Sequence, residues 1–237
     1  MSYFHSWPIH SDFHSKVIPM LDVQQLTISF PDRTLFEQTN FQAADGELVA
    51  IVSEVLDGGT SLMQALAGML SGLEGQIMLN GVDVLTMTPS ERAQSIGYAY
   101  EEHGLISLYN VFQNIALPLE FHTSLGVQQT ETKILSLLDE LGVDHALLEA
   151  QPHELNDVQT RMVNLARALV MDPNLVLIDE IEGGMPDDMI DSVMLALKKR
   201  KGETGQTIIM TTSDDHILRE ADRVLKIHDR QLLELVE

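Results

Sequence analysis

Between Leu48 and Gly68 the chain changes its hydrophobic period within a few residues, and that change limits the folds open to it. Leu48 to Val52 is an unbroken apolar run, Ser53 to Gly59 is short, mostly polar and glycine-bearing, and apolar residues then recur at Leu62, Ala65, Leu66 and Met69. Continuous apolarity marks a strand buried on both faces, whereas the later spacing marks one face of a helix, so the segment predicts strand, loop, helix. A second apolar run, Leu175 to Ile178, closes on Asp179 and Glu180 and reads as another buried strand. With 237 residues the chain is long enough for one large domain with a substantial core.

A strand, a glycine-bearing loop and a helix N-terminus are together the setting of a phosphate-binding loop. In the pattern G-x-x-x-x-G-K-[ST], glycines let backbone N–H groups close round the phosphates and the helix end adds positive potential. The lysine reaches the outer phosphates, and the hydroxyl holds Mg2+. Laid on that pattern, Ser53 stands at the first glycine, Gly58 at the second, Gly59 at the lysine and Thr60 at the hydroxyl, with Ser61 behind it. Glu54 and Asp57 add carboxylates where a polyphosphate would lie. One cation is exchanged for two anions, which repels phosphate. Only Gly58, Thr60 and Ser61 remain serviceable, and on this loop alone any strand-to-helix turn would fit as well.

The stretch Pro152 to Glu180 is more specific. It carries LARAL from Leu165 to Leu169, then Pro173, then the apolar residues that close on Asp179 and Glu180. This order closely resembles the signature helix and Walker B strand of the ATP-binding-cassette (ABC) ATPases, and the resemblance runs over about residues 21 to 233. It implies an α/β, P-loop NTPase-like cassette with a mostly parallel core sheet, an antiparallel β-subdomain and a helical subdomain. It also implies ATP and Mg2+ as ligands, with Asp179 on the Mg2+ side and Glu180 polarising the attacking water. The altered loop argues against both ligands. The family's L-S-G-G-Q, which caps a γ-phosphate held by the opposite subunit, here reads Leu155, Asn156, Asp157, Val158, Gln159. Asn156 keeps a hydrogen-bonding group, but Asp157 sets a negative charge where phosphate should approach.

The remaining family positions follow the same trend. Ile96 to Glu101 resembles the strand ending in the Q-loop glutamine, and Glu101 stands in its place. Pro186 aligns with the D-loop aspartate, and the switch histidine position falls on Ser213, at the end of the strand Thr207 to Thr212, or with a one-residue gap on Thr212. His216 is expected on a helix surface rather than as a displaced switch. Phe30 matches the aromatic that stacks on adenine. The polar losses fall together on phosphate contacts and spare the apolar frame.

The resemblance also sets the expected organisation. Residues 1–19 form an N-terminal tail and residues 20–237 one cassette, with the β-subdomain up to about Asp45 and the helical subdomain at about 105–165. A short strand ends the chain from Lys226, with no regulatory domain beyond it. The tail holds His5, His10 and His14 without metal-ligand spacing, so no metal site is expected. There is no apolar run of about 18 residues or more, no signal-peptide core and no cysteine, which fits a cytosolic chain. A net charge of −22 argues against nucleic acid as a partner.

Asn110 to Thr123, NVFQNIALPLEFHT, resembles the segment where such cassettes receive the coupling helix of a membrane subunit, and most of all the ATPases of bacterial phospholipid-trafficking systems that work with MCE-domain proteins. The implied partners are an integral membrane permease and a second cassette, at the inner face of the membrane. Leu105, Ile106, Leu108, Val111, Phe112 and Leu117 are the candidate docking anchors. Three readings stay open: a non-hydrolysing cassette subunit serving as structural or regulatory partner, a divergent working ATPase, and a cassette fold freed from transport. The first is favoured.

Overall fold

The structure, a computed structural model, describes residues 19–54, 56–100 and 104–235. The N-terminal tail before Pro19 and Glu101 lie outside the described residues. The chain opens with the long strands β1 (Leu21–Phe30) and β2 (Arg33–Ala43), followed by β3 (Leu48–Val52), α1 (Gly59–Leu66), β4 (Glu74–Leu79) and β5 (Val82–Asp83). Next come α2 (Pro89–Ser95), β6 (Ile96–Ala99), α3 (Val111–His122), α4 (Val127–Leu141) and α5 (Asp157–Leu169). The last elements are β7 (Leu175–Asp179), α6 (Asp187–Thr204), β8 (Thr207–Thr212), α7 (Asp215–Glu220), β9 (Arg223–His228) and β10 (Gln231–Glu234).

Among the described residues the strands form two sheets. One is antiparallel with the order β2-β1-β4-β5; the other runs β10-β9-β3-β8-β7-β6, parallel throughout except for β10 at its edge. This is the mixed α/β cassette the resemblance implied. Period-2 alternation divides the larger sheet between two cores. Leu48, Ala50, Val176, Ile178, Ile208 and Met210 face the helical side, where α3 to α7 pack. Val49, Ile51, Leu175, Leu177 and Ile209 face α1 and the antiparallel sheet. Strands β3, β7 and β8 are buried along all or nearly all of their length because both of their faces are covered.

Two sequence expectations shift at their ends. Helix α1 stops at Leu66, and Gly68 takes a left-handed φ of +67°, so Met69 leaves the helical face and is about half exposed. The expected single strand from Lys226 is a hairpin, β9 starting at Arg223 and β10 returning beside it through Asp229 and Arg230, both at positive φ. Neither residue is a glycine or asparagine, so the turn carries a weak sequence signal. Arg223 holds the hairpin in place: its guanidinium donates to both carboxylate oxygens of Glu234 at 2.8 and 3.0 Å and to the Gln42 carbonyl at 2.8 Å.

At the far edge, Gly97 in β6 allows α5 to lie directly on the strand. A Cβ on Gly97 would fall 2.1 Å from the Ala168 carbonyl oxygen. Nearby, the guanidinium of Arg167 donates to the Gly104 carbonyl at 2.6 Å, and burial pulls its pKa below the ordinary arginine value.

Candidate functional site

The carboxyl ends of β3, β8 and β7 sit side by side, and the loops leaving them form one cluster. Gly58 is the hinge of the first loop. Its φ of +104° suits only glycine, and a Cβ there would stand 3.2 Å from Leu35 and Phe36 of β2. Gly59 opens α1 for a different reason. It has no positive φ, but a Cβ would lie 2.3 Å from Ser53 Oγ, 2.9 Å from Ser53 Cβ and 3.2 Å from Thr211 Cγ2. The buried Ser53 therefore fills the space that a side chain at position 59 would need.

Asp57 bends back into this loop. Its carboxylate accepts from the Glu54 N–H at 2.6 Å, the Ser53 hydroxyl at 3.0 Å and the Gly59 N–H at 3.3 Å. Glu54 points to the outside, 3.5 Å from the ammonium of Lys226 on β9. Leu56 at the loop tip has φ +73° and is 78% exposed.

At the end of β7, Asp179 is 2% exposed and accepts from Thr211 Oγ1 at 2.8 Å and Tyr98 Oη at 3.2 Å. Burial raises its pKa above the usual aspartate value, while hydrogen bonds from Thr211, Thr60 and Tyr98 oppose that shift. Glu180 follows at φ +43°, its N–H directed to the carbonyl and hydroxyl oxygens of Thr211. Glu182 reaches the end of β8, where its Oε1 accepts from the Thr212 hydroxyl and, at 3.1 Å, from the Ser213 N–H. Its Oε2 is buried with no partner among the described residues.

The structure thus brings Ser53, Gly58, Gly59, Thr60, Asp179 and Glu180 together around Thr211 and sets Ser213 beside them through Glu182. Ser61 is half-buried in the first turn of α1. Phe30 ends β1 at the hairpin turn and is 40% exposed. Leu155 to Gln159 lead into α5. Asn156 is its N-cap, accepting from the Gln159 N–H at 2.8 Å while Gln159 Oε1 accepts from the Asn156 N–H at 3.0 Å. Asp157 is exposed in the first turn. Arg161 ties this helix start to the loop after Glu180 by donating to the Gly183 carbonyl at 2.9 Å. His216 lies on α7, 3.4 Å from Asp191, as expected of a surface residue.

The docking candidates divide. Val111 is fully buried in the helical core and is unavailable to a partner, which corrects its place among the anchors; it starts α3 and packs inward with Ile115, Ala116 and Leu119 of that helix. Leu105 and Phe112 are partly buried against the same core. Ile106 and Leu117 line a groove of about 420 Å3 with Met69, Tyr100, Pro118 and Phe121, and Leu108 is 87% exposed. Phe121, also strongly exposed, was missed by sequence reasoning; it sits ten residues beyond Val111 on the same helix, and helical spacing from Leu117 would have found it. Tyr98, Thr211 and Glu182 were missed as well, because their roles depend on which strands are neighbours.

Three comparisons bear on this geometry. A family model described as ABC transporter matches residues 36–182. The lipoprotein-releasing system ATP-binding protein LolD of Hyphomonas neptunium is 32% identical over 210 residues, covering 86% of this chain and 90% of that protein. The intermembrane phospholipid transport system ATP-binding protein MlaF of Haemophilus influenzae is 28% identical over 219 residues, covering 90% and 82%. Among solved structures, the dimeric ATP-binding cassette MJ0796 bound to ADP and Pi superposes with a TM-score of 0.84 at 21% identity, covering 91% of this chain and 98% of that one, a likeness of fold.

Proposed function

The chain belongs to the ABC transporter family, and from that premise we propose that it is a catalytically degenerate cassette subunit, docking on an integral membrane permease as a structural or regulatory partner. One observation carries the reading: the lysine position is Gly59, and Ser53 occupies the space where any side chain at that position would begin. The loop therefore supplies no cation to a triphosphate. Asp57 and Glu54 add negative charge to it, and the residues present do not fit ATP with Mg2+. Asp179 and Thr60 still face one another, and Phe30 is still aromatic, but these groups without a phosphate clamp drive no hydrolysis.

Docking is proposed at the apolar groove beside α3, with Ile106, Leu117 and Phe121 in it and the exposed Leu108 two residues along the chain from Ile106. The names of the LolD and MlaF relatives, together with the segment Asn110 to Thr123, support a lipid or lipoprotein as the cargo of the whole assembly. A second cassette, identical or not, is the other expected partner. No described helix is long and apolar enough to cross a membrane, so the proposed attachment runs through the permease.

Calorimetry of the purified chain with Mg-ATP tests the first half. We expect no binding tighter than about 100 μM and no phosphate release; low-micromolar affinity with turnover sinks the reading in favour of a divergent working ATPase. Charged substitutions Leu108→Glu and Phe121→Glu, with the fold checked by circular dichroism, test the second half by releasing the chain from detergent-solubilised membranes.

A further inference from the structure

The chain has twelve methionines and no cysteine, so its sulfur chemistry is that of thioethers. Among the described residues one methionine is exposed, Met69; the others are buried or half-buried. Its place follows from the left-handed turn at Gly68, which ends the helical face of α1 and carries Met69 out of the core to the wall of the apolar groove. There its Sδ accepts from Tyr100 Oη at 3.7 Å. The Tyr100 ring in turn lies 4.4 Å from that of Tyr98 and has the Arg167 guanidinium 5.9 Å from its centre, so the sulfur is joined to the polar corner of an otherwise apolar groove.

We infer that Met69 is a reversible oxidation site, at which a peroxide converts the groove from a surface that receives an apolar partner into one that refuses it. The inference rests on the docking reading above and adds a regulation to it. In the step, a lone pair of Met69 Sδ attacks one oxygen of hydrogen peroxide, the S–O bond forms as the O–O bond breaks, and the other oxygen takes up the proton of the first and leaves as water. Sulfur loses two electrons and the peroxide gains them. Three features single out this side chain. First, it is the methionine whose sulfur a small oxidant reaches, whereas Met63, one and a half turns earlier in α1, is fully buried. Second, it shares the groove with Ile106, Leu117 and Phe121, so a sulfoxide here puts into an apolar wall a polar group that an incoming partner must desolvate. Third, a donor already faces the sulfur: a thioether is a weak acceptor and a sulfoxide oxygen a stronger one, so the Tyr100 hydroxyl turns to the new oxygen and holds it in the wall. Reduction by a thiol-dependent methionine sulfoxide reductase restores the apolar surface.

The test uses the full chain, purified and treated with hydrogen peroxide, with oxidation at each methionine followed by peptide mass spectrometry. Met69 should oxidise at least tenfold faster than the buried Met63 and Met162. Chain oxidised at Met69 should bind at least tenfold less to detergent-solubilised membranes from cells that lack it, and reductase treatment should restore the binding. Met69→Leu, close in size and inert to peroxide, should bind to the same extent before and after treatment, whatever its own level. Oxidation of Met69 no faster than of Met63, undiminished binding of the chain oxidised at Met69, or an equal loss in Met69→Leu overturns the inference and leaves the docking reading standing. An untreated parent chain that those membranes do not hold removes the docking reading, and the inference with it.

Discussion

The loops that leave β3 and β7 rise from the same end of one sheet, on either side of β8, yet they resolve their charges in opposite ways. After β3, the carboxylate of Asp57 is met by three donors of its own loop. After β7, Asp179 is buried with a raised pKa, Glu180 sits at a positive φ that a non-glycine residue adopts at a penalty of about 1–2 kcal/mol, and Glu182 keeps one buried oxygen without a partner among the described residues. The first loop meets its own charge; after β7 the desolvation of Asp179 is opposed but not cancelled by hydrogen bonds from Thr211, Thr60 and Tyr98. A site under selection for chemistry tends to hold strained, desolvated groups. The β7 end gathers buried carboxyl oxygens beside a strained Glu180, while the β3 loop meets its Asp57 carboxylate from within and carries its strain at Leu56, φ +73°.

The largest expected effect tests the tightness of the first loop. Gly59→Lys should destabilise the chain by about 3 kcal/mol, because its Cβ meets the Ser53 side chain, and the double change with Ser53→Gly should recover most of that loss. Denaturant midpoints of the single and double variants measure it. A Gly59→Lys protein as stable as the parent would show that Ser53 yields to a side chain there and would break the contrast.

A smaller effect probes the second loop. Because burial raises the pKa of Asp179 in the folded chain, its contribution to stability is fully present below the unfolded aspartate value and is lost as pH rises through the folded value. Asp179→Asn removes that loss. The variant should therefore match or trail the parent in acid and gain on it toward neutral and alkaline pH, by up to about 1 kcal/mol, which for a chain of this length is a rise of about 2–4 °C in melting temperature. A constant difference across pH would mean that the aspartate carries no desolvation penalty there. Smallest of all, Phe121→Ser, far along the chain from both loops and exposed, should change stability by less than about 0.5 kcal/mol. It sets the baseline against which the other two are read.

Much of the frame was legible because period alone encodes it. The bounds of β3 and β8 match the apolar or β-rich runs from Leu48 to Val52 and from Thr207 to Thr212. The signature positions fell at a helix start because Asn156 and Gln159 stand at capping-box spacing. Legibility ended where side chains from distant segments share space. That Ser53 excludes a side chain at Gly59, that Tyr98 and Thr211 hold Asp179, and that Val111 points inward are consequences of strand order and helix seating, which no local pattern contains. The Asp229–Arg230 turn was missed because Asp229 alone is a weak turn signal and Arg230, which has no turn chemistry, also takes a positive φ.

The absence of a side chain at Gly97 has a mechanical meaning. Strand β6 and helix α5 touch backbone to backbone, so no soft layer of rotamers lies between them to absorb a displacement. Arg167, one residue before that contact, is bonded to Gly104 at the margin of the apolar groove, and the other end of α5, at Asp157, lies about 15 Å away along the helix axis. A push on the groove therefore behaves like a hand on a stiff rod, arriving at Asn156 and at the loop that Arg161 grips with little lost on the way.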